Sequence, residues 1–285
     1  MSAPGTFGSG MVGRKPGDRI ILFITILLAI VMAMPILWGL GLSIKTNHEL
    51  LVDTTSVLHP PYTLRNYVDI IAGSSVFRWV LNSAIVSLGM TLGVLVLSSL
   101  AGYGFARLEF PGKRWIFIAV LFGLAIPEQA VIIARHQFFS ELGWHNTYAG
   151  LILPGLSAPF GVFLMTQYFR AIPAEIDEAA LLDSASRFKV FWRVLLPMTL
   201  PAQATLGIFT FLSAWNDFWW PLISGTNERM YTITVGIAST QMNFAETAGL
   251  GYLMAQAMFA SLPILIVYMF FQKYIVSAVS GAAAR

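Results

Sequence analysis

Six stretches of the chain run without the regular polar interruptions of a surface helix: residues 20–44, 79–106, 115–134, 149–169, 201–224 and 251–271. Each is apolar around its whole circumference rather than along one stripe. A hydrocarbon core of about 30 Å needs about 20 helical residues to cross. The pattern therefore predicts an all-α integral membrane protein with about six transmembrane helices. The third, fourth and sixth stretches are near the minimum length. Pro35, Pro127, Pro154, Pro159 and Pro263 fall within or beside the stretches, which lipid-embedded helices tolerate where neighbours satisfy the freed carbonyls.

The polar connections set an orientation. If the N-terminus is cytoplasmic, Lys45, Arg65, Arg78, Arg135 and Arg229 fall outside and the other twelve of the 17 basic residues fall inside. That asymmetry predicts both termini in the cytoplasm. Arg14, Lys15 and Arg19 precede the first apolar run, which is longer than the roughly 7–15 residues of a cleaved signal core. It reads as an anchor helix behind a cytoplasmic tail, residues 1–19, with the membrane domain over 20–283 and a terminal 284–285. Residues 45–78 form a long outer segment, extended with a short helix.

Composition agrees with burial in lipid. The 285 residues are 56% hydrophobic and 11% charged, against about 25% charged in a soluble domain. A net charge of +3, with no dense basic block, gives no nucleic-acid footprint. The chain has no cysteine, so disulfides, thiolate metal sites and cysteine nucleophiles are excluded. His48, His59, His136 and His145 are scattered over the outer loops without metal-ligand spacing.

The inner loop 170–200 carries the most information. Pro173 suits a first helical turn, and Glu175, Asp177 and Glu178 complement the positive end of that helix. Ile176, Ala179, Ala180 and Asp183 share one face by the 3.6-residue period, and the alanines leave it nearly flat for another protein's backbone. Ser184 or Ser186 can cap a second segment. In that segment Phe188, Phe191 and Trp192 alternate with Arg187, Lys189 and Arg193, the pattern of an interfacial helix. On physics alone, a solvated connector fits as well as a docking helix.

The run Glu178-Ala179-Ala180, three residues, Ser184, nine residues, then Val194-Leu195-Leu196-Pro197 resembles the EAA motif of binding-protein-dependent ABC importer permeases. The spacing agrees throughout. Ser184 stands where that family has Gly, a substitution with a cost where φ is positive, and Val194 stands where it often has Ile. Further stretches look like the maltose-transporter (MalG-like) carbohydrate branch. They are Arg107 to Arg114, Ile126-Pro127, Leu142-Gly143 with Asn146-Thr147, Ile172-Pro173, Trp215-Asn216-Asp217 with Trp220-Pro221, and Ser280-Gly281-Ala282. The resemblance covers roughly residues 20–283.

This resemblance implies a permease subunit of an ATP-driven importer in a bacterial-type plasma membrane, not an enzyme by itself. It implies two copies of a cytoplasmic ATPase subunit, a second homologous permease and an extracytoplasmic solute-binding protein as partners. The sequence has no G-x-x-x-x-G-K-[ST] phosphate loop, so ATP and Mg would be held by the ATPase. Glu178, Ala179, Ala180, Asp183 and Ser184 would form the coupling helix docked on that subunit. The solute would be a sugar or oligosaccharide. A sugar-phosphate, glycerophosphodiester or polyamine is the alternative within the same machinery, and an ATP-independent channel or carrier stands outside it. So does a membrane anchor for an enzyme complex, which leaves the motif spacing unexplained.

Polar groups inside apolar stretches are costly and mark candidate pathway residues. These are Asn82, Glu128, Gln129, Trp215, Asn216 and Asp217. Asn216 and Asp217 lie about 24 Å along the fifth stretch from Pro201, beside Trp215, Trp219 and Trp220. Aromatic faces with adjacent polar groups suit a sugar. Equally, Trp219 and Trp220 read as interface-belt anchors, Asn216-Asp217 as a helix–helix contact, and Glu128 as a partner of backbone freed by Pro127. Gly89-x-x-x-Gly93 and Ala101-Gly102-Tyr103-Gly104 read as helix-packing positions.

Overall fold

The computed structural model describes residues 16–73, 75–182, 185–242 and 249–283, so Asp183 and Ser184 lie outside the described residues. The described residues are helical with short connections, the all-α fold expected. In order, α1 spans Pro16–Ser43, α2 Asn47–Val52, α3 Arg65–Gly73, α4 Val76–Arg107, α5 Lys113–Phe122 and α6 Glu128–Glu141. Then α7 spans Tyr148–Ile152, α8 Pro159–Ala171, α9 Ala174–Leu182, α10 Arg187–Val190, α11 Leu196–Met198 and α12 Leu200–Asn216. The last three are α13 Trp219–Ser224, α14 Ile233–Met242 and α15 Gly249–Ala283.

Helix α4 is the axis of the fold. One side packs on α8 and the other on α12, with α7 and α14 along its length. Small residues set the α4–α8 distance. A Cβ at Gly102 would strike Met165 and the backbone of Thr166, and Cβ atoms at Gly89 and Gly93 would strike Ile152 and Leu156. Gly104, by contrast, faces open space and is not a packing position. Between α4, α8 and α12 lies a core of Val94, Met165, Phe169, Val190, Phe191, Leu195, Ala202 and Leu206. A second core joins α4, α12, α14 and α15 through Trp79, Phe211, Trp215, Ile233 and Ala255. Gly236 on α14 lies directly against the Trp79 ring.

Three helices are long and apolar enough to cross a membrane unaided: residues 19–43 in α1, α4, and residues 249–272 in α15. The other three predicted stretches are bent, by 102° between α5 and α6, 48° between α7 and α8, and 75° at the start of α12. The stretch read as a span over 115–134 is thus two helices that meet at Pro127. Pro127 has no N–H to continue the ladder and disfavours helical geometry at the residue before it. Ile126 accordingly sits at φ −88°, ψ 113°, and the helix restarts at Glu128. Pro159 does the same, with Ala158 out of helical geometry at φ −119°, ψ 79° and α8 beginning at the proline. The fifth stretch ends at Asn216, and residues 219–224 form the separate α13. Pro35 and Pro263 stay inside continuous helices.

Helix α1 is exposed over most of its length and packs only near its end, against α15 and residues 54–58. The segment after it is folded around a buried cation. Lys45 Nζ donates to the carbonyls of His59 and Pro61, each at 2.6 Å, and stands 4.7 Å from the Tyr62 ring centre. Asn66 donates to the carbonyls of Ser43 and Lys45 at 2.8 and 2.9 Å. The expected extended segment is thus a compact cap of α2, a 3₁₀ turn and α3 against the start of α15.

Candidate functional site: a cavity at three helix breaks and a two-faced loop helix

The breaks at 126–127, 157–158 and 217–218 converge on one cavity of about 890 Å³ beside α4. Non-helical backbone at membrane depth is tolerated where it lines such a space. Glu128, Gln129, Asn216 and Asp217 all line it, so the structure joins two pairs of residues far apart in the sequence. Phe160, Phe209, Phe218 and Trp219 supply aromatic faces, with Thr210 and Ser213 between them.

The charges are arranged unequally. Arg135 donates to Glu128 at 2.8 Å and holds its guanidinium 5.2 Å from the Trp220 ring centre. Asp217 lines the same cavity as Glu128, and the two carboxylates repel. The backbone carbonyl of Asp217 accepts from Thr234 Oγ1 at 2.7 Å. The guanidinium is thus committed to Glu128 and Trp220, and among the described residues Asp217 has no ion-pair partner. Asn216 Nδ2 back-bonds to the Leu212 carbonyl at 2.8 Å, which leaves its amide oxygen free of that bond in a residue that lines the cavity.

Two of the six sequence-predicted pathway residues lie elsewhere. Asn82 is 1% exposed and donates to the carbonyls of Arg229 and Tyr231, both at 2.9 Å, while accepting from Tyr148 Oη at 2.8 Å. Every strong hydrogen-bonding site it has is used inside the protein. Trp215 is buried and stacks on Phe211 at 5.7 Å in the second core. Trp220 is not an exposed belt residue: it is buried against Phe139 and donates to the Gly150 carbonyl at 2.9 Å. Trp219 is the exposed one, at the cavity.

Sequence reading missed Arg135, Phe209, Thr210 and Ser213. A signal existed. Positions 206, 209, 210, 213 and 217 follow the helical period back from Asp217, and Arg135 is two turns from Glu128. The histidines are also less scattered than their spacing implied: His136 and His145 stack at 4.5 Å, and His145 Nδ1 lies 3.3 Å from Ser224 Oγ.

Helix α9 lies at the far end of α4, about 20 Å along the axis from Val94. The flat face expected there is divided. Ile176 and Ala180 turn inward onto the first core, with Asp177 between them. Glu175, Glu178, Ala179, Leu181 and Leu182 face outward, Leu182 at 86% exposed. Of the described docking residues, Ala180 is therefore a packing position, because 176, 177 and 180 share a stripe that 179 does not. Arg107, the last residue of α4, pairs with Asp177 at 2.6 Å and donates to the Ile172 carbonyl at 2.7 Å. Burial pushes the Asp177 carboxyl above its usual range, and Arg107 pulls it back. Beyond the loop, Ser186 caps α10 by accepting from the Lys189 N–H at 3.3 Å. Phe191 is buried there, whereas Phe188 and Trp192 are exposed.

Comparison with known proteins places this geometry. The chain is 33% identical over 262 residues to the diacetylchitobiose uptake system permease protein NgcG of Streptomyces coelicolor, covering 91% of this chain and 86% of that protein. It is 33% identical over 272 residues to the trehalose/maltose transport system permease protein MalG of Thermococcus litoralis, covering 94% and 97%. Its fold matches a chain in the crystal structure of a bacterial ABC transporter involved in the import of the acidic polysaccharide alginate. That match has a TM-score of 0.75 and 19% identity, and covers 91% of this chain and 98% of the other. Residues 95–281, which contain α9 and most of the cavity lining, match the family described as binding-protein-dependent transport system inner membrane component. This chain belongs to that family of multi-pass membrane permeases.

Proposed function

We propose that the chain is one membrane half of an ATP-driven importer for a sugar or oligosaccharide. It works in a bacterial-type plasma membrane, with both termini and α9 on the cytoplasmic side. A separate ATPase, present in two copies, holds ATP and Mg, and a second homologous permease completes the pathway. An extracytoplasmic binding protein delivers the solute. The outward face of α9, led by Glu178 and Ala179, meets the ATPase, and closure of the ATPase pair around ATP shifts the helices between two packed arrangements.

The observation that carries this reading is the convergence of three helix breaks on an aromatic and polar cavity beside the middle of α4, with α9 at the C-terminal end of that helix. The relatives named for saccharide uptake supply the solute class. Aromatic rings pack on sugar C–H faces while Thr210, Ser213, Asn216 and Asp217 are placed for hydroxyls. The charge balance of the lining weighs against the sugar-phosphate alternative. A phosphate here would meet Asp217 and Glu128, and the nearby guanidinium is already engaged.

Purifying the complex through a tag on this chain, then measuring saccharide binding by its extracytoplasmic member and ATP-dependent uptake into proteoliposomes, tests the reading. Uptake of a neutral saccharide that requires the ATPase is the expected result. A complex without an ATPase, or one that carries only phosphorylated solutes, would overturn it.

A further inference from the structure

The Arg107–Asp177 contact joins the end of α4 to α9, and nothing in the family motif's spacing requires it. Three elements meet at one guanidinium. Arg107 closes α4, its Nη2 donates to the carbonyl of Ile172 at the end of α8, and its Nε stands 2.6 Å from Asp177 Oδ2 on α9. Both side chains are less than one-fifth exposed. The Nε–H is not aligned on the carboxylate, so the pair is held by charge and proximity, while the bond to Ile172 fixes direction. Among the described residues, the other side-chain contacts that seat α9 are apolar and undirected, Ile176 and Ala180 resting on the first core beside Tyr103 and Phe191. One backbone bond, from the Ala185 N–H to the Ala180 carbonyl at 3.2 Å, ties its end to the next segment.

The consequence is mechanical. Helix α9 follows α8 after only Ile172 and Pro173. Helices α4 and α8 cannot approach further, because Gly102 already lies against the backbone at Met165–Thr166. Met90 and Val94 on the same α4 line the cavity. Apolar contact alone would let α9 slide or roll on the core when pushed. A half-buried ion pair resists this, since separating its partners leaves each charge uncompensated where water reaches it only in part.

We propose that the Arg107–Asp177 pair is the joint that makes α9 move as one body with α4, and hence with the cavity wall. Both are positioning residues. The proposal rests on the reading of α9 as the ATPase-facing helix and adds which intrachain contact transmits the force.

The test uses the full complex in proteoliposomes and reads solute imported per ATP hydrolysed, normalised to assembled complex. Asp177→Asn and Arg107→Gln each lower that ratio about fivefold or more, the lower range of a coupling free energy between sites. Arg107→Lys keeps the charge but not the fork, and falls between these variants and the parent. The exchange of Arg107→Asp with Asp177→Arg regains part of the ratio lost in either single variant. Assembled Asp177→Asn and Arg107→Gln complexes with an unchanged ratio would overturn the proposal, and so would a failure of all four variants to assemble, which marks a folding contact. Ala179→Trp, on the outward face, separates the two levels. If it uncouples while the pair variants do not, only the joint falls. If none of them uncouples, the reading of α9 falls too.

Discussion

The phenol of Tyr148 donates to the side-chain oxygen of Asn82 at 2.8 Å, across the contact between α7 and α4. The amide of the same Asn82 holds the carbonyls of Arg229 and Tyr231, and the neighbouring Ser83 Oγ accepts from the Ile233 N–H at 2.8 Å. Two adjacent polar residues on α4 thus pin the segment between α13 and α14. The cost of a polar group inside a membrane helix is offset here by structure, not by ligand.

Asn82→Ala should therefore act on assembly. It leaves the Tyr148 hydroxyl and two carbonyls without their partner, at about 1–3 kcal/mol for each buried group that finds no substitute. Reduced yield and a lower midpoint of thermal unfolding in detergent are expected, with the solute concentration for half-maximal uptake unchanged in what survives. A normal yield together with weakened uptake would return Asn82 to the pathway.

Gly102→Ala should destabilise the α4–α8 contact, whereas Gly104→Ala should not. The added methyl at 102 meets backbone as well as the Met165 side chain, which leaves nothing flexible to move aside. Overpacking of this kind costs about 1–3 kcal/mol. At 104 the same methyl enters open space. Comparing thermal midpoints of the two variants checks the difference, and equal midpoints would contradict the close approach.

These contrasts mark what the sequence can and cannot disclose. Circumferential hydrophobicity locates the apolar elements, and the glycine pattern at 89 and 93 locates a packing seam, because both depend on residue type alone. The breaks are less legible. Pro127 and Pro159 interrupt their helices while Pro35 and Pro263 do not, and the difference lies in tertiary partners that no single-residue rule contains. The same limit divides the pathway candidates. Glu128, Gln129, Asn216 and Asp217 meet at the cavity because three breaks coincide in space. Asn82 and Trp215 look equivalent in sequence yet are occupied by other helices. On α9 the helical period was legible, but which face turns inward depends on the core formed by Phe169 and Phe191.

Asp217→Ala should impair transport more than assembly. Asp217 lines the cavity with Trp219 and forms no ion pair among the described residues. Loss of a hydrogen bond to a charged group, worth about 1.5–3 kcal/mol, corresponds to roughly tenfold or more in saccharide uptake. Asp217→Asn should also weaken the discrimination against anionic solutes. Uptake of a neutral and a phosphorylated sugar, measured side by side in proteoliposomes of equal complex content, reads both effects. If the amount of assembled complex drops in step with uptake, the aspartate is a structural cap for the turn into α13.

Ala179→Trp and Ala180→Trp should part company, although they are neighbours in one motif. Ala179 is exposed on the outward face of α9, so an indole there projects into whatever docks on it. The complex is expected to assemble, with hydrolysis and uptake no longer in step. Ala180 is half-buried against the first core, where an indole must displace packed side chains, so this variant is expected to lower the yield of folded protein. Quantifying folded subunit by fluorescence-detected size exclusion, then solute per ATP in the reconstituted complex, separates the outcomes. Should Ala180→Trp fold normally and uncouple, the inward face of α9 would be the one the ATPase grips. The helix would then have to roll away from Ile176 and the core when the partner binds.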